Sequence, residues 1–155
     1  MTENDIHHLR DAIAVAWRAR HNGNHPFGAV LVGPGGQTLL RAENTVVTGR
    51  DITGHAETNL VRLASAQLSP EELAACTMYA STEPCAMCAG AIHWAGIGRL
   101  VFGLSAASLR EVVGPRTDDL LLPCREVFAR SARPMSVVGP ALEEEAHAVH
   151  VGFWR

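Results

Sequence analysis

The 155-residue chain contains no lysine: all 13 basic residues are arginine, set against 16 acidic residues for a formal charge of −3. A protein that grips a nucleic-acid backbone shows a basic stripe. Here the arginines are scattered, and only Arg125, Arg130 and Arg133 fall near one another. That weighs against nucleic acid as a partner. Aromatic residues are scarce too, at 5%, with a single tyrosine. No apolar run approaches the ~20 residues of a membrane-spanning helix, so no membrane association is expected. The first ten residues carry charge early and lack an apolar h-region. No secretion signal is therefore expected, and the cytoplasm is the default compartment. In that compartment four cysteines do not suggest a disulfide framework.

What is present suffices for a core. Hydrophobic residues make up 47% of the chain and charged residues 19%, which is ordinary globular composition. The length suits one domain, which buries roughly 70% of the surface of its unfolded chain. No repeat or linker divides residues 1–155, so they read as a single domain.

Ile6, Leu9, Ile13 and Trp17 recur every three to four residues and predict an amphipathic helix over 5–20, with Trp17 on its core face. Asn22-Gly23-Asn24 ends it. Residues 28–33 and 38–42 flank Pro34-Gly35-Gly36 and read as a hairpin. Residues 45–54 read as a loop. A helix follows over 55–67, with Thr53 as a candidate cap. Residues 76–80 form a strand, and Pro84 opens a helix over 85–95. Strands are expected at 98–103 and 135–138, and helices at 120–130 and 142–149; residues 105–119 carry no clear pattern. Strands alternating with helices imply a layered α/β domain.

Chemistry concentrates in two short segments. His55 opens one predicted helix, and Cys85 and Cys88 open another. A C-x-x-C at a helix start lets both sulfurs face one ion while the helix N-terminus favours thiolates. One His and two Cys leave the fourth tetrahedral position of Zn²⁺ open for a water or hydroxide, the arrangement of a catalytic site. Glu57 lies two residues beyond His55. It is placed to move a proton to or from that water, whose pKa zinc lowers toward about 7. Two other readings compete. A structural zinc knuckle needs a fourth protein ligand, and none is suitably spaced. A thioredoxin-type redox pair leaves His55 and Glu57 without a role. Cys76 and Cys124 carry no ligand spacing and read as small buried hydrophobes.

His55-Ala56-Glu57 followed by Pro84-Cys85-Ala86-Met87-Cys88 resembles the H-x-E and P-C-x-x-C signature of zinc nucleobase deaminases. Over residues 6–130 the chain resembles the cytidine deaminase-like superfamily. Bacterial guanine deaminases with their nucleobase-deaminating relatives, and tRNA adenosine deaminases, are the branches it is most similar to. The resemblance implies a three-layer α/β/α sandwich around a mixed five-stranded sheet, one zinc per subunit, and a homodimer. It also implies that Phe27 lines the base pocket, that Asn44 bonds the ring's carbonyl edge, and that Glu83 borders the oxygen and amino contacts. Trp94, in Ile92-His93-Trp94-Ala95, resembles the guanine deaminase run and would wall the ring. Asp118-Asp119 resembles that branch's acidic pair, with Asp119 the candidate reader of a purine edge. Against that branch, residues 97–103 look more like the tRNA enzymes.

The tail, Gly152-Phe153-Trp154-Arg155, resembles the aromatic segment with which guanine deaminases cover an active site. Residues 140–155 are therefore expected to form a helix and a cap bearing Trp154, over this subunit's site or, by domain swapping, the partner's. Guanine is the first expected substrate, with cytosine and ammeline-type aminotriazines as alternatives and tRNA adenosine as another. Glu143-Glu144-Glu145 reads as a solvated helix face, and His7, His8, His21, His147 and His150 as surface residues. His25 lies near the expected pocket, and His93 reads as structural.

Overall fold

The computed structural model describes residues 1–154; Arg155 of the expected cap lies outside them. The chain runs α1 (Glu3–His21), β1 (Gly28–Val32), β2 (Thr38–Glu43), α2 (Ala56–Gln67), α3 (Pro70–Ala74), β3 (Thr77–Thr82), α4 (Ala86–Ala95), β4 (Arg99–Leu104), α5 (Ala106–Val113), α6 (Cys124–Ala129), β5 (Ser136–Val138) and α7 (Glu143–Ala148). The sheet order is β2-β1-β3-β4-β5. β1 pairs antiparallel with β2 and β3, whereas β3-β4 and β4-β5 are parallel. This is the expected mixed five-stranded sheet.

Strand side chains alternate between two layers, as the two-residue period requires. Ala29, Leu31, Met78, Ala80, Leu100 and Phe102 pack with residues of α2, α4 and α6. Val30, Val32, Tyr79 and Val101 face the other way, onto α1 and α7. Cys76 and Cys124 are buried in the first layer, as expected. Gly28 sits where β1 crosses α1, and a Cβ there would run into the backbone of Ala12 and Ala16. Gly96 closes α4 in the left-handed region, φ 80°, where glycine carries no Cβ penalty.

Several expectations change. Residues 105–119 contain α5, capped by Ser105. α3 was not anticipated, yet Ser69 and Glu72 form a capping box around Pro70. His55, not Thr53, is the N-cap of α2. Trp17 is 45% exposed instead of in the core, because the guanidinium of Arg20 lies 5.6 Å from its ring centroid. His8 and His150 are buried instead of at the surface. His8 bonds the Gly36 carbonyl at 3.1 Å, and His150 packs under the C-terminal tail. Asp5 was read only as a polar helix position. It is 2% exposed and accepts from both Nη atoms of Arg99 (2.7 and 2.9 Å) and from Tyr79 Oη (2.7 Å). That network ties the start of α1 to the starts of β3 and β4.

Candidate metal centre and its surroundings

Two helix N-termini converge on one point. His55 caps α2 and Cys85 caps α4, and neither makes a side-chain bond to its own helix. Both side chains turn instead toward each other and toward Cys88, one turn into α4. His55 Nδ1 lies 3.6 Å from Cys85 Sγ and 3.5 Å from Cys88 Sγ, and the three donor atoms lie within 4.8 Å of one another. Metal–sulfur and metal–nitrogen bonds of about 2.3 and 2.0 Å, opened to the tetrahedral angle, span about that separation. The donor set therefore fits zinc, with room for a fourth ligand that the protein does not supply.

The electrostatics agree with a cation site. Hydrogen bonds from Cys88 and His55 pull the Cys85 thiol down to about 4. The Cys88 thiol moves up, because it donates to Cys85 and is buried. Together these shifts describe one proton shared by two sulfurs, which a divalent cation would displace. His55 moves up through its bond to Cys85. Glu57, on the first turn of α2, is 6% exposed, and burial pushes its carboxyl up to about 7.

Asn44 is buried beside this point. Its backbone N–H donates to the Phe27 carbonyl at 3.1 Å, and its Oδ1 accepts from Val46 N at 3.0 Å. Its Nδ2 has no hydrogen-bond partner among the described residues, leaving a donor for a ligand. Asn59, which sequence reasoning passed over, secures this loop: its Nδ2 donates to Glu43 O, Thr45 Oγ1 and Gly54 O at 3.0, 2.9 and 3.3 Å. Its only signal was a polar residue one turn beyond His55.

The Glu83 side chain has a bracing role. Its two carboxylate oxygens accept from Ala106 N (3.2 Å) and Cys124 N (3.0 Å), the first residues of α5 and α6. It braces the segment leading into Cys85, and its side chain is committed to protein. Asp119 accepts from Arg110 Nε and Arg116 N, both at 3.0 Å, and those bonds hold its carboxyl below the usual range. Asp118 pairs with Arg116. Trp94 is 85% exposed in the protomer, in T-shaped contact with His93. The structure therefore does not bring Asp119 or Trp94 together with the ligand cluster.

The tail packs against other aromatic side chains. Trp154 packs with its ring centroid 5.2 Å from His25, 6.1 Å from Phe27 and 6.2 Å from His150, the last nearly parallel. Its Nε1 donates to His150 Nδ1 at 3.0 Å, so the His150 proton sits on Nε2, 3.4 Å from Thr82 Oγ1. Burial lowers His25, and the charges of His55 and Arg116 lower it further.

The description "Cytidine and deoxycytidylate deaminase zinc-binding region" matches residues 2–104. The chain is 42% identical over 156 residues to the "Probable cytosine deaminase" of Schizosaccharomyces pombe, covering 99% of this chain and 94% of that protein. It is 36% identical to the tRNA-specific adenosine deaminase of Bacillus subtilis, covering 100% and 91%. Among solved structures, the guanine deaminase of Nitrosomonas europaea superposes with a TM-score of 0.79 at 25% identity, over 92% of this chain and 80% of that one. No helix among the described residues is long and apolar enough to cross a membrane.

Proposed function

The chain belongs to the cytidine and deoxycytidylate deaminase zinc-binding family, and on that premise we propose that it hydrolyses the exocyclic amino group of a free nucleobase, cytosine first, giving uracil and ammonia. The observation that carries the free-base reading is the aromatic group His25, Phe27, His150 and Trp154, assembled by the chain's own tail around Phe27, the residue expected to line the base pocket. Aromatic faces recognise a flat base by stacking. A cap of this kind suits a base without ribose or flanking nucleotides. Cytosine ranks ahead of guanine for two reasons. The similarity to the Schizosaccharomyces pombe protein runs through the tail, and the carboxylate expected to read a purine edge, Asp119, is held by Arg110 and Arg116.

Zinc held by His55, Cys85 and Cys88 supplies a Lewis acid that brings a water at its open position toward a pKa of about 7. The residues of the chain do the rest. Glu57 takes the proton the water gives up as its oxygen attacks the amino-bearing ring carbon. It passes that proton to the adjacent ring nitrogen, then takes the remaining proton of the added hydroxyl as the carbonyl forms and delivers it to the amino group, which leaves as ammonia. Asn44 Nδ2 donates to the ring carbonyl, and Phe27 and Trp154 hold the ring plane. The apolar outer face of α4, carrying Met87, Gly90, Ala91 and Trp94, is covered by a second copy, giving a homodimer. The tail caps its own subunit's site, since Trp154 rests on Phe27 of the same chain.

Ammonia release from cytosine, guanine, ammeline, adenine, their nucleosides and tRNA tests this reading. Turnover of cytosine above the rest is expected. Turnover confined to guanine would replace the substrate, and turnover confined to nucleosides or tRNA would overturn the free-base reading. Sedimentation of the Trp94→Glu variant tests the dimer, and a wild-type protein that sediments as a monomer would remove it.

A further inference from the structure

The tail that carries Trp154 has little regular structure to hold it. α7 ends at Ala148, and the following residues turn back through Gly152 at φ 72°. The carbonyls at this end of the helix need partners from elsewhere. Arg20, near the end of α1, provides them: its Nη1 donates to Val149 O at 2.9 Å and to Val151 O at 2.7 Å. The same guanidinium lies 5.6 Å from the ring centroids of both Trp17 and Phe153. Phe153 in turn packs edge-on to Trp154, with centroids 4.9 Å apart. One planar cation thus bonds the tail backbone and lies against an aromatic ring from each end of the chain. Trp17, half-exposed on a helix that buries Leu9, Ile13 and Val15, finds its use here.

We propose that Arg20 is the positioning residue of the C-terminal cap: through Val149, Val151 and Phe153 it holds Trp154 in place over the base. The inference rests on the reading that the tail caps the site. Arg20 itself touches neither the ligand cluster nor the base. It sets the fraction of molecules in which the cap is seated, and apparent substrate affinity scales with that fraction. Lysine would keep the charge but lose the planar group that lies against the two rings.

Four proteins test this: wild type, Arg20→Gln, Phe153→Leu, and a chain ended after Val151. Each is assayed for kcat and KM on the best base and for zinc content, and the three full-length chains for the Trp154 indole N–H resonance, assigned with Trp154→Phe. Arg20→Gln is expected to raise KM about tenfold while kcat and zinc content stay within about twofold. The indole resonance should leave its hydrogen-bonded position. Phe153→Leu, which removes a ring from outside any helix, should move KM and the indole resonance the same way by less. If the truncated chain keeps the wild-type KM, the capping reading fails and takes the inference with it. If truncation raises KM but Arg20→Gln leaves KM and the indole resonance unchanged, the cap stands and the role of Arg20 is overturned.

Discussion

The two helical layers on this sheet treat their polar side chains in opposite ways. Behind the sheet, α1 and α7 pair theirs: Asp5 with Arg99 and Tyr79, Arg10 with Glu145, and Arg20 with the tail carbonyls. In front, the caps of α2 and α4 leave their own helices unsatisfied, and burial pushes the Glu57 carboxyl up. Such a front layer is costly unless an ion and a substrate complete it. The contrast separates two kinds of lesion. Front-layer changes should remove turnover and leave folding nearly intact, and back-layer changes should do the reverse.

The largest effect is expected at Glu57. Glu57→Gln keeps shape and burial but removes the proton carrier, so kcat should fall by roughly 10³-fold or more. Zinc content by metal analysis and the melting temperature should stay close to wild type. Loss of zinc along with activity would mean that the carboxylate acts as a ligand. Chelation should silence the enzyme as fully, with zinc restoring it.

Asp5→Asn is the mirror experiment. It leaves Arg99 without its carboxylate, and breaking a pair this buried costs about 3 kcal/mol. For a chain of this size that is a fall of roughly 6–12 °C in melting temperature. kcat per folded molecule should not change. The wild-type pair also has a pH signature. Arg99 holds the Asp5 carboxyl well below the usual carboxylate range. Its stabilisation is complete above the unfolded value near ~4 and is lost as pH falls through the folded value. A denaturant series at low pH should show a shallower acid loss in Asp5→Asn than in wild type.

His150 joins the two layers and titrates at milder pH. Burial lowers it to about 4, with the charges of His147 and Arg20 adding to the effect. The unfolded chain takes up this proton near ~6.5 and the folded one only near 4, so stability falls as pH drops through that window. The full difference is about 3 kcal/mol. A proton on Nδ1 would also face the Trp154 N–H in place of accepting from it. Between pH 7 and pH 4, His150→Gln should lose less stability than wild type. Equal slopes would show that the ring is not held neutral.

How much of this was legible follows from sequence distance. The front layer is written in two tripeptide-scale motifs whose geometry a helix start dictates, so His55, Glu57, Cys85 and Cys88 could be named in advance. The hairpin and the sheet were readable from Pro34-Gly35-Gly36 and the apolar strands. The back layer depends on partners 74 to 135 residues apart. Helical period alone put Trp17 in the core, because nothing local announces that Arg20 and Phe153 will occupy its other side. His150 looked like surface because its burial depends on a tail folding back. Trp94 is expected at the pocket through the resemblance of its run alone, since α4 is apolar almost all round and period does not say which side faces the sheet. Asp119 lost its expected freedom to Arg110, one helix earlier. The capping box of α3 was readable from Ser69 and Glu72 and was simply passed over.

Glu83 gives the smallest and most diagnostic prediction, since it belongs to neither layer alone. Two residues before a ligand sulfur, it anchors the first turns of α5 and α6. Glu83→Gln keeps one oxygen acceptor and turns an amide NH₂ toward the other backbone N–H. A charge-assisted bond is lost, and two donors face each other. The cost should be about 1–3 kcal/mol, or roughly 2–10 °C in melting temperature. A purely structural brace would show only that. A brace that also sets the path into Cys85 should weaken zinc retention against a competing chelator and shift the visible bands of the cobalt-substituted protein, which report ligand geometry. Unchanged bands together with a lowered melting temperature would assign Glu83 to the scaffold and confine the site to the two helix starts.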